Sequence, residues 1–181
     1  MEWSVLFMGP VGAGKTEAIR SLSDIDVLDT DVGATDETAL LKEKTTVSMD
    51  VGVLNLGEGD KLRLYGAPGQ ERFDFMWEIL VEQAKGVVIM LNHANPNPLE
   101  DLTYYLRSLE KLLLQRSLPV VVGVTHVEAS LDKSLNKYLD YLNKNTVKFA
   151  AGLVPVFQVD ARKKQDSKVL MFAITAMLEV N

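Results

Sequence analysis

The sequence predicts an α/β domain: a mostly parallel sheet of six strands, one of them antiparallel, with helices on both faces. Three observations carry this. Trp3–Met8, Leu62–Tyr65, Gly86–Leu91, Pro119–Val124 and Val154–Val159 are short, apolar or β-branched runs with the length of buried strands. Segments of helical period separate most of them, the alternation expected of a parallel sheet covered on both sides. The sixth strand, Val47–Leu56, ends in Gly57-Glu58-Gly59-Asp60, a hairpin-like turn into Lys61–Tyr65 that supplies the antiparallel pair.

Taken in order, the first strand runs into Gly9-Pro10-Val11-Gly12-Ala13-Gly14-Lys15-Thr16, followed by a helical stripe of Ala18, Ile19 and Leu22. Ser23–Lys44 is rich in Asp and Thr and weakly periodic, and loops of that length are usually functional or mobile. Phe73, Met76, Trp77 and Leu80 form the next apolar face. A longer helix is announced by Asn97 as N-cap, Pro98 in the first helical position and Glu100 in the capping-box place. Its stripe is Leu99, Leu102, Leu106, Leu109 and Leu113. Leu131, Leu135, Leu139 and Leu142 predict a further helix, and Val169, Leu170, Ile174, Met177 and Leu178 a last one after Asp166-Ser167. The whole span 1–181 reads as one domain without repeats, and ligands in such folds sit at the carboxyl ends of the strands.

Composition narrows the classes. With 47% hydrophobic and 24% charged residues the chain is of globular type. A net charge of −6 argues against a nucleic-acid footprint, which needs clustered Lys and Arg. The absence of cysteine excludes disulfides, thiolate metal sites, prenylation and palmitoylation, and suits a reducing cytoplasm. Glu2 stands where myristoylation requires glycine, and no run is long enough to span a bilayer, so no direct membrane anchor is expected. His93 lies in a turn-rich link and reads as a surface or cap residue, while Trp77 reads as core.

The Gly-x4-Gly-Lys-Thr run carries the clearest chemistry because its context, strand before and helix after, is the required one. Gly9, Gly12 and Gly14 allow a tight turn that aims backbone N–H groups, Val11 and Ala13 among them, at phosphate oxygens at a helix N-terminus. Lys15 reaches the β- and γ-phosphates and the Thr16 hydroxyl ligates Mg²⁺ in such a loop. A chance Gly-rich turn is the poorer explanation.

Further along, Thr45-Thr46-Val47-Ser48-Met49-Asp50 offers hydroxyls for a γ-phosphate sensor, and Gly66-Ala67-Pro68-Gly69-Gln70-Glu71-Arg72-Phe73 follows a strand. A Gly69 N–H meeting the γ-phosphate and a Gln70 orienting the attacking water is the arrangement small GTPases use. On these motifs the chain resembles the Ras-superfamily small GTPases over nearly its whole length, in particular the bacterial group that includes the MglA-type motility and polarity proteins. The resemblance implies a P-loop NTPase fold of small G-protein type, GTP/GDP as ligand, Mg²⁺ as cofactor, and Gln70 as the catalytic residue. It implies Thr46 as the switch I threonine on Mg²⁺, with switch I over 23–46 and switch II over 66–75. A roadblock-type activator and an effector are the partners it suggests.

Several positions depart from that pattern. Where most small GTPases carry an Asp for a Mg²⁺ water, this chain has Gly66, as MglA-type proteins also lack it; Asp50, Asp29 or Asp31 can substitute through water, or be plain solvated acids. Val11 puts a branched side chain beside the γ-phosphate, and Thr45 and Lys44 stand where the MglA group is thought to place an arginine, so intrinsic hydrolysis is expected to be slow. The guanine motif is replaced by Thr125-His126-Val127-Glu128: Glu128 can accept from guanine N1–H and N2–H, His126 can cover the base, and Thr125 supplies part of an asparagine's bonding. In Asp160-Ala161-Arg162 the Ala161 N–H would meet guanine O6, which leaves a buried donor unpaired against adenine. The expected function is a GTP-binding switch. A nucleotide-loaded scaffold with little hydrolysis is a second reading, and an ATP-dependent P-loop kinase a third, weakened by the lack of an Arg-rich lid.

Overall fold

A computed structural model describes residues 2–31, 48–69, 74–113, 116–145 and 147–180. Its strands are β1 (Glu2–Met8), β2 (Leu28–Asp31), β3 (Ser48–Gly57), β4 (Asp60–Gly66), β5 (Gly86–Asn92), β6 (Val120–Thr125) and β7 (Val156–Gln158). The helices are α1 (Lys15–Leu22), α2 (Asp74–Gln83), α3 (Pro98–Leu113), α4 (Asn136–Lys144) and α5 (Lys164–Val180). The strands form one sheet in the order β2-β3-β4-β1-β5-β6-β7. β3 pairs antiparallel with both β2 and β4, and every other pairing is parallel.

The predicted class therefore holds, with one strand added. β2 falls inside the segment read as an irregular loop; it is four residues long and extends the antiparallel edge through Leu28↔Val51 to Asp31↔Ser48. The hairpin follows from its turn: Glu58 and Gly59 both take positive φ (51° and 86°), the pair of left-handed residues that matches strand twist.

Alternation along β1 assigns the two faces. Leu6 and Met8 join Trp77 and Val81 of α2, Leu102 and Leu109 of α3 and Tyr138 of α4 in one core cluster. Val5 and Phe7 point the other way, into Ile19 and Leu22 of α1 and Leu170 and Ile174 of α5. Strands β5 and β6 are buried almost throughout because both faces are covered, which is why they read as unbroken apolar runs. β1 has β4 on one side and β5 on the other, so the end of β1 is where the sheet changes its direction of growth.

Two local expectations are corrected. Leu131 is fully exposed and precedes the helix, which begins only at Asn136. The reason is polar: Ser134 N–H donates to Asp132 Oδ1 and Asn136 N–H to Ser134 Oγ, side-chain turns that hold the chain out of the helix for one more turn. The last helix starts at Lys164, ahead of Asp166-Ser167, whose side chains serve inside its first turn: Asp166 accepts from Asp160 N–H and Ser167 is buried. Among the described residues no helix is long and apolar enough to cross a membrane.

His93 is also not a surface residue. It is 2% exposed, its Nδ1 lies 2.8 Å from the Tyr138 hydroxyl and its Nε2 2.6 Å from the Asp132 carbonyl. A carbonyl only accepts, so Nε2 carries the proton and Tyr138 donates to Nδ1. Desolvation raises the Tyr138 phenol well above its ordinary range, which keeps it a donor. Tyr138→Phe leaves a buried ring nitrogen without its partner. It is expected to cost about 1–2 kcal/mol and lower the Tm by roughly 3–6 °C in a thermal melt; an unchanged Tm would show that Tyr138 is dispensable to this pin.

Candidate functional site: a phosphate cradle at the end of the first strand

The cradle forms because three glycines take backbone conformations that residues with side chains rarely adopt. Gly9 has φ 146°, Gly12 79° and Gly14 91°, the last as the left-handed N-cap of α1. At Gly9 the demand is also spatial: a Cβ there would lie 2.1 Å from the Met90 carbonyl oxygen of β5. The loop turns over the sheet edge at van der Waals distance and delivers the α1 N-terminus to the cleft.

Lys15 folds back over this loop, its ammonium donating to the Gly9 carbonyl at 2.7 Å and the Pro10 carbonyl at 2.8 Å. Burial pushes its pKa down from 10.5 to about 8, partly opposed by the Asp50 carboxylate. Thr16, one residue on, donates its hydroxyl to Asp50 Oδ2 at 2.5 Å. Asp50 comes from β3 and sits in register opposite Gly66 of β4. A Cβ on Gly66 would meet Asp50 Cβ and Oδ2, each at 3.1 Å. The carboxylate of Asp50 thus fills the space that an acidic side chain at position 66 would use, and the glycine is what admits it.

A second loop closes on the first. Gly69 abuts the cradle so tightly that a Cβ would fall 2.7 Å from Val11 N and 2.8 Å from the Gly9 carbonyl oxygen. Val11 turns its side chain outward, 66% exposed, at the mouth of the cleft. Thr46 and Gln70 lie outside the described residues, as do residues 32–46 of switch I and 70–73 of switch II.

The base-side residues come together at the other end. Thr125 is buried, its hydroxyl 3.0 Å from both the Ala13 and Leu91 carbonyls and 2.8 Å from His126 Nδ1. It has one proton to share between those carbonyls, and it ties β6 to the cradle and to β5. His126 is exposed, with a left-handed φ of 58°, and caps the 3₁₀ turn Val127–Ala129 that carries Glu128. Asp160 accepts from Arg162 through a two-point fork, Nε to Oδ1 and Nη2 to Oδ2, both 2.9 Å, which holds its carboxyl well below the usual range. A Cβ on Gly14 would lie 3.1 Å from Ala161 Cβ and 3.4 Å from Thr125 Cγ2, so the base loops pack directly on the cradle.

These parts line one cleft of about 750 Å³, within the range that holds a nucleotide. Val11, Gly12, Gly14, Lys15, Thr16, Asp50, Gly66 and Gly69 line its phosphate end, and Thr125, His126, Glu128, Asp160, Ala161 and Arg162 its other end. Gly9 and the buried Ala13 shape the loop from behind. Two residues that the sequence gave no reason to join to the site are Met90, whose carbonyl sets the limit at Gly9, and Trp77, whose indole N–H donates to the Pro68 carbonyl at 3.1 Å. Neither has a motif of its own; each is found only through what it touches.

A glycine-formed cradle with a lysine over it and a helix N-terminus behind it, at the sheet's switch point, defines a P-loop nucleotide-binding protein. The chain belongs to the family described as "conserved hypothetical ATP binding protein", whose model matches residues 27–179. It is similar to the intraflagellar transport protein 22 homologs of Bos taurus, 26% identical over 142 residues (77% of this chain, 74% of the relative). The homolog of Rattus norvegicus is 28% identical over the same shares of both chains, and that of Mus musculus 29% identical over 99 residues, 54% of this chain and 51% of the relative. The narrower bacterial MglA-type grouping rests on the motifs alone.

The Lys15 geometry sets a pH dependence. Phosphate favours the charged ammonium and raises its pKa on binding, so affinity is complete below about pH 8 and falls above it, by up to tenfold per unit. Folding of the free protein shows the opposite trend: its depressed pKa makes the charged lysine a penalty below pH 8 that fades between 8 and 10.5. Nucleotide titrations from pH 6.5 to 9.5 check this, and affinity flat to pH 9.5 would contradict it.

Proposed function

We propose that the chain is a GTP-binding switch of the cytoplasm that hydrolyses GTP to GDP slowly unless a partner assists. The observation that carries the reading is the contact between two loops. A phosphate cradle and a separate glycine segment, Gly69, meet backbone to backbone, so a terminal phosphate placed in the cradle must be felt by the second loop. That is the mechanical requirement of a γ-phosphate sensor. Gln70 follows Gly69 directly and is the proposed water-orienting residue; Thr46 is the proposed switch I ligand. Val11, exposed in the cleft lining, would obstruct an arginine inserted from a partner, which supports a slow intrinsic rate.

The donor set suits Mg²⁺. Thr16 supplies a hydroxyl and Asp50 a carboxylate 2.5 Å from it. No group of three or more His, Cys, Asp or Glu side chains among the described residues is placed to hold a metal ion, so most ligands would come from phosphate and water, as Mg²⁺ prefers. Bound there, the ion would neutralise charge developing on the phosphates; Lys15 and the cradle N–H groups position them.

Glu128 and Ala161 support guanine, the first as a carboxylate for N1–H and N2–H, the second as an N–H for O6. The family description names ATP, which favours adenine as a second reading. Partners proposed by the motif resemblance are a roadblock-type activator and an effector that reads the switch segments.

Competition between GTP and ATP decides the base: GTP is expected to bind at least tenfold tighter with Mg²⁺ present, and an ATP preference would overturn the guanine reading. Gln70→Ala is expected to keep nucleotide binding and slow single-turnover hydrolysis at least tenfold; an unchanged rate removes Gln70 from that role. Asp50→Asn is expected to raise the Mg²⁺ concentration needed for half-maximal nucleotide retention about tenfold, with binding in EDTA little changed. Combining Asp50→Gly with Gly66→Asp should restore part of it, since two of the three atoms nearest a Cβ at position 66 belong to Asp50. Retention that ignores Mg²⁺ in both forms would remove Asp50 from the metal site.

A further inference from the structure

We propose that Trp77 is a positioning residue for the terminal phosphate, acting through the peptide unit between Pro68 and Gly69; this rests on the γ-phosphate-sensing reading above. Trp77 lies in α2, 1% exposed, and its indole Nε1–H donates to the Pro68 carbonyl at 3.1 Å. A buried indole needs some acceptor. What is particular here is the acceptor: that carbonyl belongs to the same peptide unit as the Gly69 N–H.

Planarity then does the rest. No cis peptide occurs among the described residues, so the Pro68–Gly69 unit is trans and its C=O and N–H point in opposite directions. Drawing the carbonyl to Trp77, on the α2 side, turns the Gly69 N–H the other way. The cradle lies against Gly69, 2.7 Å from the place of its missing Cβ to Val11 N, and Gly69 lines the cleft. The next carbonyl is held too: the Tyr105 hydroxyl donates to Gly69 O at 3.5 Å. Both anchors are themselves fixed. Trp77 packs on Tyr105 with ring centres 5.3 Å apart at 37°, and edge-on to Tyr104 at 6.1 Å. Tyr104 meets Tyr105 at 86° and donates its hydroxyl to Asp74 Oδ2 at the start of α2. The aromatic trio is thus a rigid block between α2 and α3 that sets the direction of one N–H.

The test separates this from plain core packing. Replacing Trp77 by β-(3-benzothienyl)alanine keeps the bicycle and its burial and removes only the N–H; Trp77→Phe makes the same deletion with a smaller ring. Dissociation constants for GDP and for the slowly hydrolysed GTPγS, measured with Mg²⁺ on wild type and both variants, give the triphosphate-to-diphosphate preference. A bond from an N–H to an anionic phosphate oxygen is of the charge-assisted kind, so its misdirection is expected to lower GTPγS affinity about tenfold while GDP affinity stays within twofold. A merely structural role moves both nucleotides together or neither, and either result overturns the assignment. Wild-type protein with no preference for the triphosphate overturns the sensor reading and this proposal with it. Wild-type preference retained in full by the benzothienyl form overturns Trp77 alone.

Discussion

The approach of backbone to backbone at Gly9 and Gly69 is the constraint from which the site follows. At Gly9 the chain leaves β1 and passes over the carbonyl of Met90 with no room for a single methyl group. At Gly69 a second loop comes close to Val11, again without room for a Cβ. A nucleotide's phosphates are small and highly charged, and only bare backbone can surround them with N–H groups at hydrogen-bond distance. Lys15 completes the arrangement from within, anchored on two carbonyls of the very loop it serves. Burial disfavours its charged form, so an anion bound beside it would relieve that penalty as well as add a contact.

The exchange between positions 50 and 66 shows how sheet register can stand in for sequence position. The two residues face each other across β3 and β4, so an acidic group can be supplied from either strand provided the other is small. A motif read along one strand sees only a loss at Gly66. The pair read across the sheet shows a carboxylate on the facing strand that lies over Gly66 and accepts from the Thr16 hydroxyl.

Much of this was legible before any coordinates. The strand–helix alternation, the hairpin at Glu58-Gly59, the cap at Asn97-Pro98 and the cradle itself all rest on local chemistry, and each stands where local chemistry puts it. What escaped was of two kinds. β2, with four residues, is a strand only because β3 offers it an edge, and Leu131 is outside its helix because Asp132 and Ser134 make competing bonds. His93 was misjudged, and the tie made by Thr125 went unread, because their partners Tyr138 and Ala13 are far away in sequence; Trp77 is core as read, but its acceptor on Pro68 has no motif to announce it. Side-chain type says that such a residue needs a partner; only the fold says which.

The Thr125 hydroxyl has a consequence for how such a site tolerates change. One asparagine in the guanine motif commonly serves both the loop and the base, so a substitution there damages both. In this chain the loop-holding duty falls to a buried hydroxyl bonded to Ala13 and Leu91 carbonyls, while Glu128 and Ala161 face the cleft from other turns. Glu128 is exposed and takes no part in that tie, so a substitution there changes what this end of the cleft offers a ligand while the bonds to Ala13 and Leu91 stay in place.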